Sequence, residues 1–202
     1  KNSYSFAVLS PLLPDVGFVD RPVNGIMIYS FTTRQAAKVF SDVCIATDDE
    51  RIYDKAVEMG GKAVMTSASH RSGTDRCLEA LTKYQKESGK IFDVVLNVQG
   101  DEPYIKPEQL KTLANCFNDS SVDIATLVKR CKSLAEVNDP NRPKVVVDKF
   151  WNALCFSRSV IPFFRGGELN DEVVRKTDYF MHVGLYGYTA KTLAAVCAMP
   201  QS

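Results

Sequence analysis

The sequence contains no run of about 18 apolar residues, so no membrane-spanning helix is expected. Its first residues lack a charged region followed by a continuous apolar core, so the chain as given is expected to be soluble and not exported. Charge of one sign is also missing. Lys+Arg 25 against Asp+Glu 24 leaves a net +1, which gives no electrostatic footprint for nucleic acid. The six cysteines, at 44, 77, 116, 131, 155 and 197, form no C-x-x-C pair and no His-Cys cluster. That scatter excludes the usual zinc patterns and reads as reduced thiols of a cytoplasmic protein, not as a disulfide framework. No catalytic cysteine signature is present, none of the six lies beside either histidine, and there is neither an internal repeat nor a low-complexity segment.

What is present is a globular composition, 45% hydrophobic and 24% charged, in 202 residues, enough for a single well-buried domain spanning 1–202. A first strand is expected at Ser5 to Leu9. The segment Ser10 to Pro22 contains three prolines and a glycine and must be irregular, but it carries Leu, Val and Phe where a phosphate cradle would need glycines and cations. Met27 to Phe40 has apolar residues at helical spacing, Val43 to Ala46 reads as a strand, and Asp48 or Asp49 can cap a helix ending at Gly60. Lys62 to Met65 is a third strand. This alternation predicts right-handed βαβ units and a mainly parallel sheet. Beyond a helix from Pro107 to about Phe117 and a strand at Asp123 to Val128 the pattern changes. Lys144–Val147 and Ala153–Phe156 have hairpin spacing, and Phe180 to Tyr188 is a further extended run, so a small antiparallel lobe is expected at about 144–188. Within it, Gly166 to Asp178 reads as a mobile, charged excursion, and a last helix is expected from Ala190 to Cys197.

Two stretches carry candidate chemistry. Phe92 to Val98 is an apolar strand that ends in Gln99-Gly100-Asp101-Glu102-Pro103, delivering amide and carboxylates to a sheet edge, where open α/β sheets bind ligands. Asp101 or Glu102 could hold a divalent cation together with a substrate phosphate, although the same residues would serve as an ordinary strand-ending turn. In Ser69-His70-Arg71-Ser72-Gly73-Thr74-Asp75-Arg76, Ser72 with Asp75 matches a capping pattern. The helix N-terminus placed there is either a cap exposed to solvent or an anion or nucleotide site.

From about Asn24 onward the chain resembles the 3-deoxy-manno-octulosonate cytidylyltransferase (CMP-KDO synthetase) family. The resemblance is carried by Ala46–Ile52, His70–Arg76, Asn97–Pro103, Pro143–Val146, Phe156–Pro162 and His182–Tyr188, six stretches in the family's order. It implies a Rossmann-like nucleotidyltransferase fold, cytoplasmic and dimeric. It also implies transfer of CMP from CTP to KDO with release of pyrophosphate, assisted by Mg²⁺, in lipopolysaccharide precursor synthesis. Residue by residue, it implies Asp101 as a Mg²⁺ ligand and Gln99 as a sugar contact. Ser72, Gly73, Thr74 and Arg76 would lie beside the nucleotide, and Arg158, His182 and Tyr186 would bind the KDO carboxylate and hydroxyls.

Two departures from the family pattern accompany this. Only Pro11 and Arg21-Pro22 match the family's cation-rich first loop, and the sequence given stops before the family's C-terminal helix, strand and second Mg²⁺-binding aspartate. Fewer cations leave the departing pyrophosphate less neutralised, so a catalytically inactive homologue serving as a dimerising or ligand-binding module is the competing expectation. An enzyme for another acid sugar, such as sialic acid, is a third, but Gln99–Pro103 and Arg158–Pro162 match the KDO branch better.

Overall fold

A computed structural model describes residues 5–10, 22–23, 26–99 and 104–200. Asp101, Glu102 and residues 11–21 lie outside them. In chain order the elements are β1 (Ser5–Ser10), β2 (Pro22–Val23), β3 (Ile26–Met27), α1 (Ile28–Ala36), β4 (Asp42–Thr47), α2 (Glu50–Glu58), β5 (Ala63–Met65), α3 (Gly73–Ser88) and β6 (Val94–Gln99). They continue with α4 (Pro107–Asn115), β7 (Ile124–Arg130), α5 (Leu134–Asn138), β8 (Lys144–Val147), β9 (Ala153–Ser157), α6 (Asp171–Lys176), β10 (Phe180–Thr189) and α7 (Ala190–Cys197). The fold is α/β, as expected. The chain forms two compact units, residues 1–125 with 185–202, and residues 126–184.

In the first unit β5, β4, β1 and β6 lie side by side and all parallel, with the end of β10 added antiparallel to β6. Parallel strands covered on both faces read as continuous apolar runs. β4 is buried along its whole length, and β6 from Val94 to Val98. α3 packs on one face of this sheet, where Cys77, Ala80, Leu81 and Tyr84 meet Val8, Cys44, Ala46, Val95 and Tyr188. Its boundaries follow from local chemistry: the Ser72 hydroxyl accepts the Asp75 N–H at 3.2 Å, and Gly89, at φ 69°, ends it in the left-handed conformation that glycine adopts at no steric cost. Asp49 is the residue that caps α2, accepting from the Arg51 N–H at 2.9 Å.

A buried polar knot fixes α3 to β4. Asp42 is 2% exposed and accepts from the Tyr84 hydroxyl at 2.9 Å, from Lys90 Nζ at 2.7 Å and from Ser41 Oγ at 2.8 Å. Burial alone would raise this carboxyl's pKa, but the hydrogen bonds from Lys90, Ser41 and Tyr84 outweigh it and hold the value at about 2.

The second unit contains the hairpin β8–β9, with Val145 opposite Phe156, and the start of β10, whose Phe180 is opposite Val145. Its core is Cys131, Val137, Val174, Tyr179 and Met181. The segment read as a mobile excursion instead contains α6, which Asn170 caps by accepting the Val173 N–H at 3.0 Å, and Val174 is fully buried. With six residues, α6 is too short to show a helical period, and that is why the sequence pattern missed it. Lys144 is likewise fully buried; its ammonium donates to the carbonyls of Asp139 and Arg142, both at 2.8 Å, the partners that a buried charge requires.

The Asp42 knot gives a pH signature. Its folded pKa lies below the ordinary 3.8, so its stabilisation is complete above that value and is lost as pH falls toward 2. Asp42→Asn is expected to cost about 2 kcal/mol at pH 7, with the gap to the parent closing between about pH 4 and pH 2 in urea unfolding measured against pH.

Candidate active site

The strand order of the first unit reverses at β1: the chain builds β4 and β5 on one side and returns with β6 on the other. In open α/β sheets the crevice outside the carboxyl ends of such neighbouring strands is the ligand site. Here Ser10 ends β1 in register with Gln99, which ends β6. Alternation along β6 puts Val95, Asn97 and Gln99 on one face, and Val95 belongs to the α3-covered core, so Gln99 lies on the same side as α3. Tyr186 of β10 is opposite Asn97, and its ring stacks on Tyr188 with centroids 6.0 Å apart. Burial raises the pKa of both phenols, opposed at Tyr188 by a hydrogen bond with Thr74, so both are hydroxyl donors at neutral pH.

The N-terminus of α3 supplies the second group of candidates. Ser72 is the cap, its hydroxyl also donating to Asp75 Oδ2 at 2.6 Å, and Gly73 is the buried first residue of the helix. The Thr74 carbonyl accepts a weak bond from Cys197 Sγ at 3.7 Å. Arg76 is 5% exposed, and its guanidinium donates to Thr66 Oγ1 at 2.7 Å and to Asp48 Oδ2 at 3.0 Å. Arg76 therefore ties the first turn of α3 to the residues just beyond β4 and β5, and its buried Nε makes no hydrogen bond. Beside this helix lies a cleft of about 710 Å³ whose lining includes Ser69, His70, Arg71, Asp75, Glu79 and Lys83.

Arg158 and His182 belong to the second unit. Arg158 follows β9, is exposed, and donates from Nη1 to the Pro140 carbonyl at 2.9 Å. His182 is half-buried in β10, with Nε2 2.8 Å from Thr126 Oγ1 and its ring edge-on to Phe156 at 5.2 Å. Burial lowers its pKa below the usual 6.5, so the ring is neutral at neutral pH. Gln99, Ser72, Gly73, Thr74, Arg76 and Tyr186 all belong to the first unit, and Asp101 lies outside the described residues. Sequence reasoning did not reach Asp48, Thr66 and Thr126 as partners of Arg76 and His182. Those partners stand 28, 10 and 56 positions away, separations that no local period reports.

A family model described as cytidylyltransferase matches residues 21–202. The chain is 49% identical over 183 residues to a 3-deoxy-manno-octulosonate cytidylyltransferase of Bacteroides thetaiotaomicron, covering 89% of this chain and 71% of that protein. It is 37% identical to the protein of the same name from Porphyromonas gingivalis, over 100% of this chain and 80% of that one. Among solved structures it superposes on CMP:2-keto-3-deoxy-manno-octonic acid synthetase complexed with CTP with a TM-score of 0.85 and 34% identity, covering 99% of this chain and 80% of that one.

With only two histidines in the chain, the lowered pKa of His182 can be read directly. Proton NMR titration is expected to give it a midpoint below 6.5. Below 6.5 the unfolded chain takes up the proton more readily than the folded one, so His182 lowers stability as the solution becomes acidic.

Proposed function

The chain belongs to the cytidylyltransferase family, and from that premise we propose that it transfers the CMP group of CTP to the anomeric hydroxyl of KDO, releasing pyrophosphate and providing the activated sugar for lipopolysaccharide. The observation that carries this reading is the match, over 99% of the chain, to a synthetase whose structure was solved with CTP. Three features of the first unit support it. Gln99 stands at the end of β6, in register with the end of β1. The Gly73 and Thr74 amides open a 16-residue helix, a setting that favours phosphate oxygens, so Ser72, Gly73, Thr74 and Arg76 are assigned to the nucleotide side. Tyr186 keeps its proton and can donate to a sugar hydroxyl.

The second unit's Arg158 and His182 are assigned to the acid sugar. An exposed guanidinium suits a carboxylate through paired charge-assisted bonds, and a neutral imidazole hydrogen-bonded to Thr126 suits a hydroxyl. Asp101, two positions after Gln99, offers the hard oxygen that Mg²⁺ prefers, and the ion would neutralise charge on the triphosphate.

β9 exposes Ala153, Leu154, Cys155 and Phe156 in succession, and Phe150, Trp151 and Phe163 are exposed in the same unit. Alternation along β9 puts Leu154 and Phe156 on one face, and large exposed apolar side chains of this kind suit an interface, here assigned to a second copy of the chain. No helix among the described residues is long and apolar enough to cross a membrane. A cytoplasmic setting is supported by six cysteines that all remain free thiols.

The activity is tested by pyrophosphate release. Purified protein with CTP, KDO and Mg²⁺ is expected to release pyrophosphate, and the release should stop with EDTA; absence of release at high enzyme concentration would overturn the assignment. Arg158→Ala is expected to raise the KM for KDO about 10- to 100-fold while leaving that for CTP in place, the worth of a charge-assisted carboxylate contact. For the assembly, sedimentation is expected to give a dimer that Leu154→Asp converts to monomer, and a monomeric parent protein would sink that part.

A further inference from the structure

The connection from β5 to α3 runs from Thr66 to Ser72 and delivers the chain to the helix N-terminus. It contains no regular structure of its own; the Thr66 N–H donates to the Thr47 carbonyl at 2.8 Å, and beyond that point side chains hold it. Two residues of α3 do so. Arg76 holds Thr66 at one end of the connection, as described above. Three positions on, and so on the same helix face, Glu79 holds the middle. Its Oε2 accepts the Ser67 N–H at 3.0 Å and meets His70 Nε2, while Oε1 takes Lys83 Nζ at 2.8 Å. The loop adds two bonds of its own, Ser69 N–H to Ser67 Oγ at 3.1 Å and one between the Ser67 and Ser69 hydroxyls at 2.7 Å, and Ser72 closes the far end as the cap. Burial would raise the Glu79 carboxyl, but hydrogen bonds from Lys83, the Ser67 N–H and His70 hold it at about 2, so it stays an acceptor over the whole working pH range.

We propose that Glu79 is a positioning residue for nucleotide binding: by pinning Ser67 and His70 to α3 it sets the path of the chain into the Ser72-Gly73-Thr74 turn. This rests on the reading above that the turn lies beside the nucleotide. Glu79 itself touches no substrate in this scheme. Its contribution is preorganisation, because a loop already held in its binding shape spends less of its contact energy on ordering. The geometry also specifies reach over charge. The critical partners, Ser67 and His70, share one oxygen, and the second oxygen faces only a half-exposed lysine.

That distinction gives the test. Glu79→Ala and Glu79→Asp, the second of which keeps the charge but withdraws it by one methylene, are each expected to weaken CTP binding by roughly 10-fold in calorimetry, with the KM for KDO unchanged within about twofold. Glu79→Gln, which keeps an oxygen within reach of Ser67, is expected to bind CTP within about threefold of the parent. Hydrogen exchange at the Ser67 amide is expected to accelerate about 10-fold or more in the Ala and Asp variants and not in Gln. The proposal is overturned if Glu79→Asp binds CTP like the parent, if Gln is as impaired as Asp, or if Ser67 exchange is the same in all. Should Glu79→Ala fail to fold, the Asp and Gln pair carries the comparison. A parent protein that binds no CTP would overturn the cytidylyltransferase reading and not the clamp, which the exchange rates then decide by themselves.

Discussion

The central strands of the first unit are parallel and covered, and that constraint governs the rest of the unit. Side chains inside such a sheet must be apolar or fully hydrogen-bonded, which is why β4 and β6 read as nearly unbroken aliphatic runs. Chemistry is thereby confined to the places where strands stop. Gln99 marks one such place, and Asp48 and Thr66, just beyond β4 and β5, mark two more. The reversal of strand order at β1 then selects one stopping point over the others as a crevice.

α3 turns that edge into a site with a fixed shape. Its deep face is hydrophobic core, and its polar side chains reach outward from both ends. Tyr84 in its last turns closes on Asp42, Arg76 near its start closes on Asp48 and Thr66, and Glu79 between them closes on Ser67 and His70. These polar contacts sit where backbone packing alone would leave the β5–α3 connection undetermined. Each is charge-assisted and directional, so each fixes orientation as well as adding stability. The helix is thus both the cover of the sheet and the scaffold of the turn at Ser72.

The second unit solves a different problem. With a small core of five buried residues it relies on polar anchors: Lys144 buried on two carbonyls, Asn170 capping α6, and Asp171 Oδ1 accepting the Leu134 N–H at 2.6 Å to join α5 with α6. Its hairpin leaves large apolar side chains, Leu154 and Phe156 among them, exposed.

Much of this was legible in the sequence because it is local. The strand at 92–98, the Ser72 cap, the Asp49 cap and the hairpin at 144–156 are set by periodicity, capping residues and turn spacing within a few positions of one another. The six motif stretches likewise placed the chain in its family before any geometry was known, since residue identity in order is itself a strong constraint. Short helices such as α6 escaped because six residues carry no measurable period, and the partners of Arg76, His182 and Glu79 escaped because hydrogen bonds across 9 to 56 positions leave no trace in local pattern. The sequence by itself determined the fold class and which side chains were available for chemistry. Only the tertiary structure decided how they are used, tying Arg76 to Asp48 and Thr66 and setting Glu79 beneath the loop, because the partner of a buried polar group is chosen by packing in space and not by proximity along the chain.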